Sequence, residues 1–391
     1  AAGRHVQGYF VYDSKKSGAI TVSHLRFGPK PIESTYLIKR ADFVACHQFE
    51  FMEKLDVLEL AREGATFLLN SPFGPDEVWS RLPREAQQTI LERKLHFYVV
   101  DALTVARQAG MGGRINTVTQ ACFFAISGVL PRDDAIRQIK ESIRKTYGKR
   151  GETVLERNFA AVDASLAALQ EVKVPGRADS LLSRRPIVPK AAPEFVQRVT
   201  AMMLDGKGDL LPVSALPVDG TFPTGTTQWE KRSIALEIPI WDEKICTQCG
   251  ICPLVCPHAA IRMNVFPAGA TKGAPPAFKA VPWTRKDALE GMMYTLQVAP
   301  EDCTGCGVCV DVCPSRSKEM LKHKAINMAP KLEHLERERA NYDFFLTLPE
   351  VRPTADQTDG LRSSQLRLPL FEYSGACSGC GETPYLKLLS Q

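Results

Sequence analysis

The residues best suited to chemistry in this chain are its cysteines. Ten of the twelve cysteines lie in closely spaced runs, and two of these runs repeat the pattern C-x2-C-x2-C-x3-C-P. The first run consists of Cys246, Cys249, Cys252 and Cys256, and the second of Cys303, Cys306, Cys309 and Cys313. Three thiolates at this spacing can hold three corners of a cubane 4Fe–4S cluster, while the fourth cysteine, redirected by the following proline, reaches the other cluster. The runs therefore predict two clusters that exchange one ligand each.

This exchange assigns four cysteines to each cluster. Cluster 1 is predicted to take Cys246, Cys249, Cys252 and Cys313, and cluster 2 to take Cys303, Cys306, Cys309 and Cys256. Small residues such as Gly250, Gly305 and Gly307 permit the tight turns that such wrapping requires. The alternative is a pair of structural zinc sites. Zinc ligands normally come as two separated pairs, whereas here four thiols crowd into eleven residues, twice.

A shorter cysteine pair lies near the C-terminus, in GACSGCGETPY. Cys377 and Cys380 form a C-x2-C pair, and the other cysteines outside the two runs, Cys46 and Cys122, are isolated. We expect Cys377 and Cys380 to be two ligands of a partial third 4Fe–4S cluster, with the other ligands after Gln391 or in another chain. A redox disulfide and half of a zinc site are the alternatives.

The composition restricts the class of protein. The 391 residues carry a formal charge of +5 without a long basic run, which gives little support for nucleic-acid binding. No apolar stretch reaches the roughly 18 residues of a membrane span, and residues 1–10 contain neither an initiating Met nor a signal-peptide pattern. Clustered cysteines favour metal ligation in a reducing compartment over disulfides. We therefore expect part of a longer cytoplasmic protein that binds neither nucleic acid nor membranes.

Residues 1–174 alternate between strand-like and helix-like segments. AITVSHLRF, ADFVAC, ATFLLN and LHFYVV are apolar or β-branched runs that predict strands, and FMEKLDVLELARE and PDEVWSRLPREAQQTILERK have helical spacing. After these, RINTVTQACFFAISGVL, RDDAIRQIKESIRKTYG and GETVLERNFAAVDASLAALQ predict helices only. This order predicts an α/β domain with a mostly parallel sheet. Cys46 and Cys122 are expected to be buried structural residues in it.

The remaining sequence divides into three predicted parts. Proline and glycine punctuate residues 175–240, which predicts a linker and small wrapping segment around one amphipathic helix, EFVQRVTAMMLDG. Residues 241–320 predict a small α+β dicluster ferredoxin-like domain, in which the residues between the two cysteine runs extend a hairpin. Residues 321–391 predict a connecting segment and the beginning of a further α/β domain.

Several stretches together resemble one enzyme family. In chain order they are QGYFVYDSKKSG, TVSHLRFG, STYLIKRADFVACH, GGRIN, GVLP, LPVSALPVDGTFPTGT, CTQCGICPLVCPHAAIR, CTGCGVCVDVCP and YSGACSGCGETPY. They span nearly the whole chain and resemble pyruvate:ferredoxin (or flavodoxin) oxidoreductase. The resemblance implies a much longer enzyme with thiamine diphosphate, Mg²⁺ and three 4Fe–4S clusters. Residues 1–174 would belong to its coenzyme A domain, 241–320 to its ferredoxin-like domain, and the last residues to its thiamine diphosphate domain.

The resemblance also implies particular site residues. Lys15, Asn116 and Asn158 would bind coenzyme A, Glu382 would contact thiamine diphosphate, and Cys377 and Cys380 would bind the cluster nearest it. A lysine suits phosphates, and amides suit adenine or pantetheine. Without the resemblance, Lys15 fits a solvated turn, Asn116 a helix cap and Asn158 an exposed helical position. The third cluster, thiamine diphosphate and Mg²⁺ would need parts outside this chain, and we expect no catalytic residue within it.

The activity implied by the resemblance is oxidative decarboxylation of pyruvate with coenzyme A to acetyl-coenzyme A and CO₂. This chain would carry electrons and contribute to coenzyme A binding, and it would be inactive alone. The expected partners are ferredoxin or flavodoxin, the remaining domains of the enzyme, and a second copy in a homodimer. One alternative is a stand-alone ferredoxin-like electron-transfer module, which would not need the long α/β part. Another is the same core fused to a flavin reductase that delivers electrons to NADP.

Overall fold

The structure is a computed structural model, and it describes residues 3–12, 20–350 and 360–391. It contains two compact units. Of the described residues, the first comprises 3–11 and 22–187, and the second comprises 12, 20–21, 188–350 and 360–391. Among the described residues, no helix is both long enough and apolar enough to cross a membrane.

A four-stranded sheet lies at the centre of the first unit. The strands of this unit are β1 His5–Val11, β2 Val22–Gly28, β3 Ala41–Cys46, β4 Ala61–Asn70, β5 His96–Val100 and β6 Gln170–Glu171. The sheet has the order β3-β4-β5-β6, in which the first three strands are parallel and the short β6 is antiparallel to β5. The predicted α/β fold with a mostly parallel sheet is therefore confirmed. The strand predicted in AITVSHLRF also forms, but as β2 it pairs with β1 in a separate antiparallel pair.

Helices cover both faces of this sheet. They are α1 Phe51–Lys54, α2 Val78–Arg81, α3 Arg84–Glu92, α4 Ala102–Gln108, α5 Asn116–Ile126, α6 Arg132–Tyr147 and α7 Glu152–Ala168, with a 3₁₀ turn at Gly148–Arg150. Successive side chains of a strand point to opposite faces. Accordingly, Phe67 and Leu69 of β4 pack with α2 and α3, whereas Leu68 packs with α4, α5 and α7. Cys46 and Cys122 are buried in these two cores, as expected.

The helix prediction for FMEKLDVLELARE is wrong beyond Lys54, because the chain turns there and enters β4 at Ala61. Leu58 within this stretch is nevertheless buried in the core. The spacing of the apolar residues therefore indicated burial but not the backbone conformation. The three later helix predictions are confirmed by α5, α6 and α7.

The second unit is built from antiparallel strands and helices, most of which are short. Its strands are β7 Glu237–Trp241, β8 Ile261–Phe266, β9 Val281–Pro282, β10 Met293–Val298 and β11 Ile326–Pro330. Its helices are α8 Ala201–Leu204, α9 Ile251–Val255, α10 Val308–Asp311, α11 Lys331–Phe345, α12 Leu361–Ser364 and α13 Thr383–Ser390, with a π-helical turn at Val196–Thr200 and 3₁₀ turns at Gly208–Leu210, Val213–Ala215, Thr226–Trp229 and Ala268–Thr271. β8 and β10 form the predicted hairpin between the cysteine runs, and β9 pairs with β10. β7 and β11 form a second antiparallel pair.

Two features of this unit bear on the sequence predictions. The π-helical turn and α8 together form the predicted helix of EFVQRVTAMMLDG. The region expected to be a connecting segment contains a 15-residue helix, α11.

A hydrophobic core joins the strands to the cysteine runs, because Tyr294 and Leu296 of β10 and three of the cysteines are buried in the same cluster. The strands therefore hold both runs in apolar surroundings.

Candidate functional site

The two cysteine runs fold into the same local structure. The third cysteine of each run lies on a short helix, Cys252 on α9 and Cys309 on α10. The residue before each helix is a glycine in the left-handed conformation, Gly250 at φ 73° and Gly307 at φ 77°. Residues with a side chain rarely adopt this conformation. The tight turns predicted at these glycines are therefore present.

A cavity of about 330 Å³, counted with its opening to solvent, lies inside the first run. Its wall contains Cys246, Cys249, Cys252 and Cys313. Apolar parts of the wall come from Trp241, Tyr294, Leu296 and Ile326. Three cysteines of the first run thus meet the fourth cysteine of the second.

A cavity of similar size lies inside the second run. Its wall contains Cys303, Cys306, Cys309 and Cys256, with apolar parts from Pro239, Ile261 and Met328. The structure therefore brings together both predicted sets of four cysteines, and each set contains one residue of the other run. Four thiols around a largely apolar cavity are the donor set of a 4Fe–4S cluster.

Thiols that share a cavity affect one another electrostatically. Burial raises the pKa of Cys303 to about 12, and the neighbouring Cys256 and Cys306 also raise it. Burial likewise raises the pKa of Cys246, with a further contribution from Cys249 and Cys313. Since thiolates are the ligands of metals, their ionisation requires compensating positive charge in the cavity. Iron would supply that charge.

Backbone amides donate to cysteine sulfur in both runs. The N–H of Gln248 lies 3.4 Å from Cys246 Sγ, and the N–H of Gly305 lies 3.4 Å from Cys303 Sγ. Gln248 has φ 52°, which is unusual for a residue with a side chain. Its buried amide donates to the carbonyl of Pro282 at 2.8 Å and accepts from the N–H of Thr284 at 3.0 Å. These bonds hold the loop of the first run in shape.

In the part of the chain that the structure describes, no three His, Cys, Asp or Glu side chains converge on one metal ion. The eight thiols are distributed instead around the two cavity walls.

The loop of Cys377 and Cys380 packs against the second run. A Cβ atom added to Gly379 would lie 3.6 Å from Cys306 Cβ and 3.5 Å from Val308 Cγ2. Ser378 Oγ lies 3.1 Å from the hydroxyl of Thr304. The predicted third pair of cysteines is therefore adjacent to the wall of the second cavity.

Helix α13 comes directly after this loop. The backbone N–H groups of Glu382 and Thr383 lower the pKa of Cys380, because they donate hydrogen bonds to its sulfur. Glu382 is exposed just before the first residue of the helix.

Further along α13, Lys387 is buried at 3% exposure. Its Nζ donates to Leu254 O at 3.1 Å, to Gln365 Oε1 at 2.9 Å and to Pro253 O. Lys387 thereby anchors α13 to the peptide that joins Cys252 of one cavity to Cys256 of the other.

Known proteins match the chain in separate regions and also along its full length. Residues 1–168 match the family model "Pyruvate ferredoxin/flavodoxin oxidoreductase" and residues 245–317 match "4Fe-4S dicluster domain". Residues 182–235 match a domain of unknown function. A putative pyruvate-flavodoxin oxidoreductase of Synechocystis is 56% identical over 388 residues, which cover 99% of this chain and 32% of the relative. Along nearly its whole length the chain is thus similar to pyruvate-flavodoxin oxidoreductases.

Two further relatives differ in the electron acceptor that their names give. The pyruvate-flavodoxin oxidoreductase of Rhodospirillum rubrum is 54% identical, with 99% of this chain and 32% of the relative covered. The mitochondrial pyruvate dehydrogenase [NADP(+)] of Euglena gracilis is 45% identical, with 99% of this chain and 21% of the relative covered. The chain therefore spans at most about a third of the length of these relatives.

Two of the three coenzyme A residues that the oxidoreductase resemblance implied lie close together in the first unit. Asn116 is exposed and begins α5 without a side-chain cap bond. Asn158 lies on α7 and is buried at 6% exposure, so it is not the exposed helical residue considered as the alternative. Its amide donates to Val154 O at 2.8 Å and accepts from Thr117 Oγ1 at 3.2 Å. Lys15 lies outside the described residues.

Sequence reasoning missed His258, two residues after Cys256. Its ring lines the second cavity and is 2% exposed, and its Nδ1 lies 3.1 Å from the carbonyl of Ser374. A carbonyl only accepts, so Nδ1 carries the proton in this contact. The only sequence signal was the short distance from Cys256, since Ser374 is 116 residues away.

Alkylation rates should distinguish the buried Cys46 and Cys122 from the more accessible Cys380. Burial raises the pKa of Cys46 and of Cys122 to about 12, whereas hydrogen bonding lowers that of the half-buried Cys380. We expect iodoacetamide at neutral pH to modify Cys380 at least about tenfold faster than Cys46 or Cys122, because the thiolate is the nucleophile. Mass spectrometry of peptides from the native chain measures this, with Cys380→Ser as control. Equal rates for the three cysteines would contradict the conclusion that Cys46 and Cys122 are buried structural residues and that hydrogen bonds favour the thiolate of Cys380.

Proposed function

We propose that this chain is the part of a pyruvate:ferredoxin/flavodoxin oxidoreductase that carries electrons and contributes to coenzyme A binding. The complete protein would convert pyruvate and coenzyme A to acetyl-coenzyme A and CO₂. The observation that carries this proposal is the presence of two cavities with four thiols each, in a chain that is 54–56% identical over 99% of its length to proteins with that name. The division of the chain at residues 174, 240 and 320 is part of the same proposal.

Each cavity would hold one 4Fe–4S cluster. The proposed ligand sets are Cys246, Cys249, Cys252 and Cys313 for cluster 1, and Cys303, Cys306, Cys309 and Cys256 for cluster 2. When bound, such a cluster accepts and releases one electron at a time. The amides of Gln248 and Gly305 would donate to ligand sulfur and so stabilise negative charge there. The apolar walls would limit the access of water.

Cys377 and Cys380 would supply two ligands of a third cluster, and Glu382 would contact thiamine diphosphate. The contact of Gly379 with Cys306 supports this arrangement, since it puts the pair next to the second cavity. The amides at the start of α13 favour a thiolate at Cys380. The remaining ligands, thiamine diphosphate and Mg²⁺ would come from residues outside this chain.

Coenzyme A would bind at Lys15, Asn116 and Asn158. Asn116 is the member of this set with an exposed amide, whereas the amide of Asn158 already makes two hydrogen bonds within the helical layer. In this proposal Asn116 contacts the ligand directly, and Asn158 positions the start of α5 through Thr117.

Asn116→Ala should therefore weaken coenzyme A binding about tenfold, the effect of losing hydrogen bonds worth about 1–1.5 kcal/mol. Gln108→Ala is the matched control, because Gln108 is also an exposed amide on a helix of the first unit. Calorimetric titration of the full-length enzyme measures both variants. An unchanged Kd for Asn116→Ala, or an equal loss in Gln108→Ala, would remove Asn116 from the site.

A second candidate is the same core with NADP as the final acceptor. The 45% identity to the Euglena pyruvate dehydrogenase [NADP(+)] favours it, but the relatives named for flavodoxin are more similar. A cytoplasmic homodimer, finally, is proposed from the family resemblance alone.

The test uses the full-length enzyme, purified without oxygen. We expect flavodoxin reduction that requires both pyruvate and coenzyme A, together with the EPR signals of reduced 4Fe–4S clusters. Reduction of NADP without added flavodoxin would favour the second candidate. Activity that does not require coenzyme A, or a preparation that binds zinc in place of iron, would contradict the proposal.

A further inference from the structure

A basic loop follows the first cavity. Pro314 and Ser315 line the cavity directly after Cys313, and the chain then forms the segment 316–322, here called the basic loop. Arg316, Lys318 and Lys322 are exposed in it, with Glu319 as its carboxylate. Lys244, two residues before Cys246, adds another exposed cation near the same cavity. The segments that flank this part of the cavity wall therefore carry a surplus of exposed positive charge, because the nearby Asp242 and Glu243 are half-buried and pair with His323 and Lys279.

An exposed apolar pair lies at the tip of this loop. Met320 is 61% exposed and Leu321 is 74% exposed. Single exposed apolar residues are common on protein surfaces, but methionine is enriched where proteins bind one another. An apolar centre with a charged border is the usual organisation of such a binding site.

The loop has a fixed shape. Ser317 N–H donates to His323 O at 2.9 Å, and Ser317 Oγ accepts from Met320 N–H at 3.1 Å. His323 Nε2 lies 2.8 Å from Asp242 Oδ2, and Lys324 Nζ donates to Val310 O at 2.6 Å. A surface that is already ordered loses less conformational entropy on binding.

The second cavity lies next to the Cys377–Cys380 loop and not next to the basic loop. The Cys377–Cys380 loop packs on Cys306 and Val308 at the second cavity, where the proposed third cluster would deliver electrons. Electrons would then pass from the third cluster to the cluster in the second cavity and on to the cluster in the first cavity. They would leave the protein from the first cavity. A surface next to the first cavity is thus in the right place to receive an electron acceptor.

We propose that the basic loop, together with Lys244, is the docking surface for a small protein electron carrier with an acidic face. This inference rests on the proposed function and adds the place and charge of the contact. Positive charge around the cavity would steer the acidic carrier, which increases the association rate at low ionic strength. Met320 and Leu321 would then pack against the carrier and keep it near the first cavity.

The test compares two acceptors of the full-length enzyme, a purified flavodoxin and methyl viologen, a dye that needs no docking surface. In Lys318→Glu/Lys322→Glu, the rate of flavodoxin reduction relative to dye reduction should fall about tenfold at low salt, the size expected for lost electrostatic steering. Salt should lower this ratio in the parent enzyme and have little effect in the variant. In Met320→Ser/Leu321→Ser, the ratio should fall while its salt dependence persists.

Lys173→Glu/Lys190→Glu is the matched control, because it makes the same change of charge at two other exposed lysines. An equal loss in this control, or an unchanged ratio in Lys318→Glu/Lys322→Glu, would overturn the docking proposal and leave the proposed function intact. If the parent enzyme reduces neither acceptor with pyruvate and coenzyme A, the proposed function fails, and the docking proposal fails with it.

Discussion

Cys313→Ala is expected to remove the same 4Fe–4S cluster as Cys249→Ala, although the two residues belong to different cysteine runs. Both line the first cavity, to which the first run contributes three cysteines and the second run contributes Cys313. Cys256→Ala should correspondingly remove the same cluster as Cys306→Ala, since both line the second cavity. Alanine is used because a serine hydroxyl can itself bind iron.

Iron analysis and EPR of the reduced protein measure this result. Each variant should retain about four of about eight iron atoms per chain, since one cubane cluster of two is lost. The signal that survives in Cys313→Ala should match that of Cys249→Ala and differ from that of Cys306→Ala. Cys122→Ala is the control that keeps both clusters, because Cys122 is buried in the first unit. If Cys313→Ala instead matched Cys306→Ala, each run would hold its own cluster and the exchange of ligands would be wrong.

The spacing of the cysteines was enough to predict the two groups of four, because the geometry that brings these thiols together is set within each run. Three thiols spaced by two residues must share a wall, and the turn at the proline directs the fourth to the neighbouring wall. The central strands were equally accessible to sequence reasoning, since strands buried on both faces are continuous apolar runs, as in β4. Both predictions depended on residues close together in the chain.

Predictions that depended on distant partners could not be made in this way. Val22–Gly28 has the composition of a strand, but nothing in that stretch indicates that it pairs with His5–Val11 and not with the parallel sheet. Lys387 appears in the sequence as an ordinary helical lysine, yet its acceptors at Pro253 and Leu254 are more than 130 residues away. Burial of such a cation is decided by tertiary contacts alone.

Arg262→Met is expected to lower the free energy of unfolding of the second unit by about 3–5 kcal/mol, because it leaves a partly buried carboxylate without its partner. Arg262 lies on β8 and pairs with Glu372, and the two side chains are only 7% and 16% exposed. The guanidinium also lies over the ring of Tyr373, with its carbon 5.1 Å from the ring centroid, and donates to Ala259 O at 3.0 Å.

This ion pair bears on the site because Glu372 begins a segment that is bonded to the residues after Cys256. The N–H of Tyr373 donates to His258 O at 2.8 Å, and Ser374 O accepts from His258 Nδ1. The segment from Glu372 to Ser374 is thus held beside the second cysteine cavity, and it leads directly to Cys377. Arg262→Met should therefore also loosen the Cys377–Cys380 loop, seen as faster hydrogen exchange there.

Urea unfolding of the cluster-containing protein measures the first effect, and hydrogen exchange measures the second. Arg137→Met is the matched control, because Arg137 forms an exposed ion pair with Asp134, which is worth about 0–1 kcal/mol. Arg262→Met/Glu372→Gln should recover part of the lost stability, since the carboxylate is then neutral. If Arg262→Met costs no more than Arg137→Met, the pair with Glu372 does not hold this segment in place. The attachment of the Cys377–Cys380 loop would then depend on Lys387 and on the contact of Ser378 with Thr304.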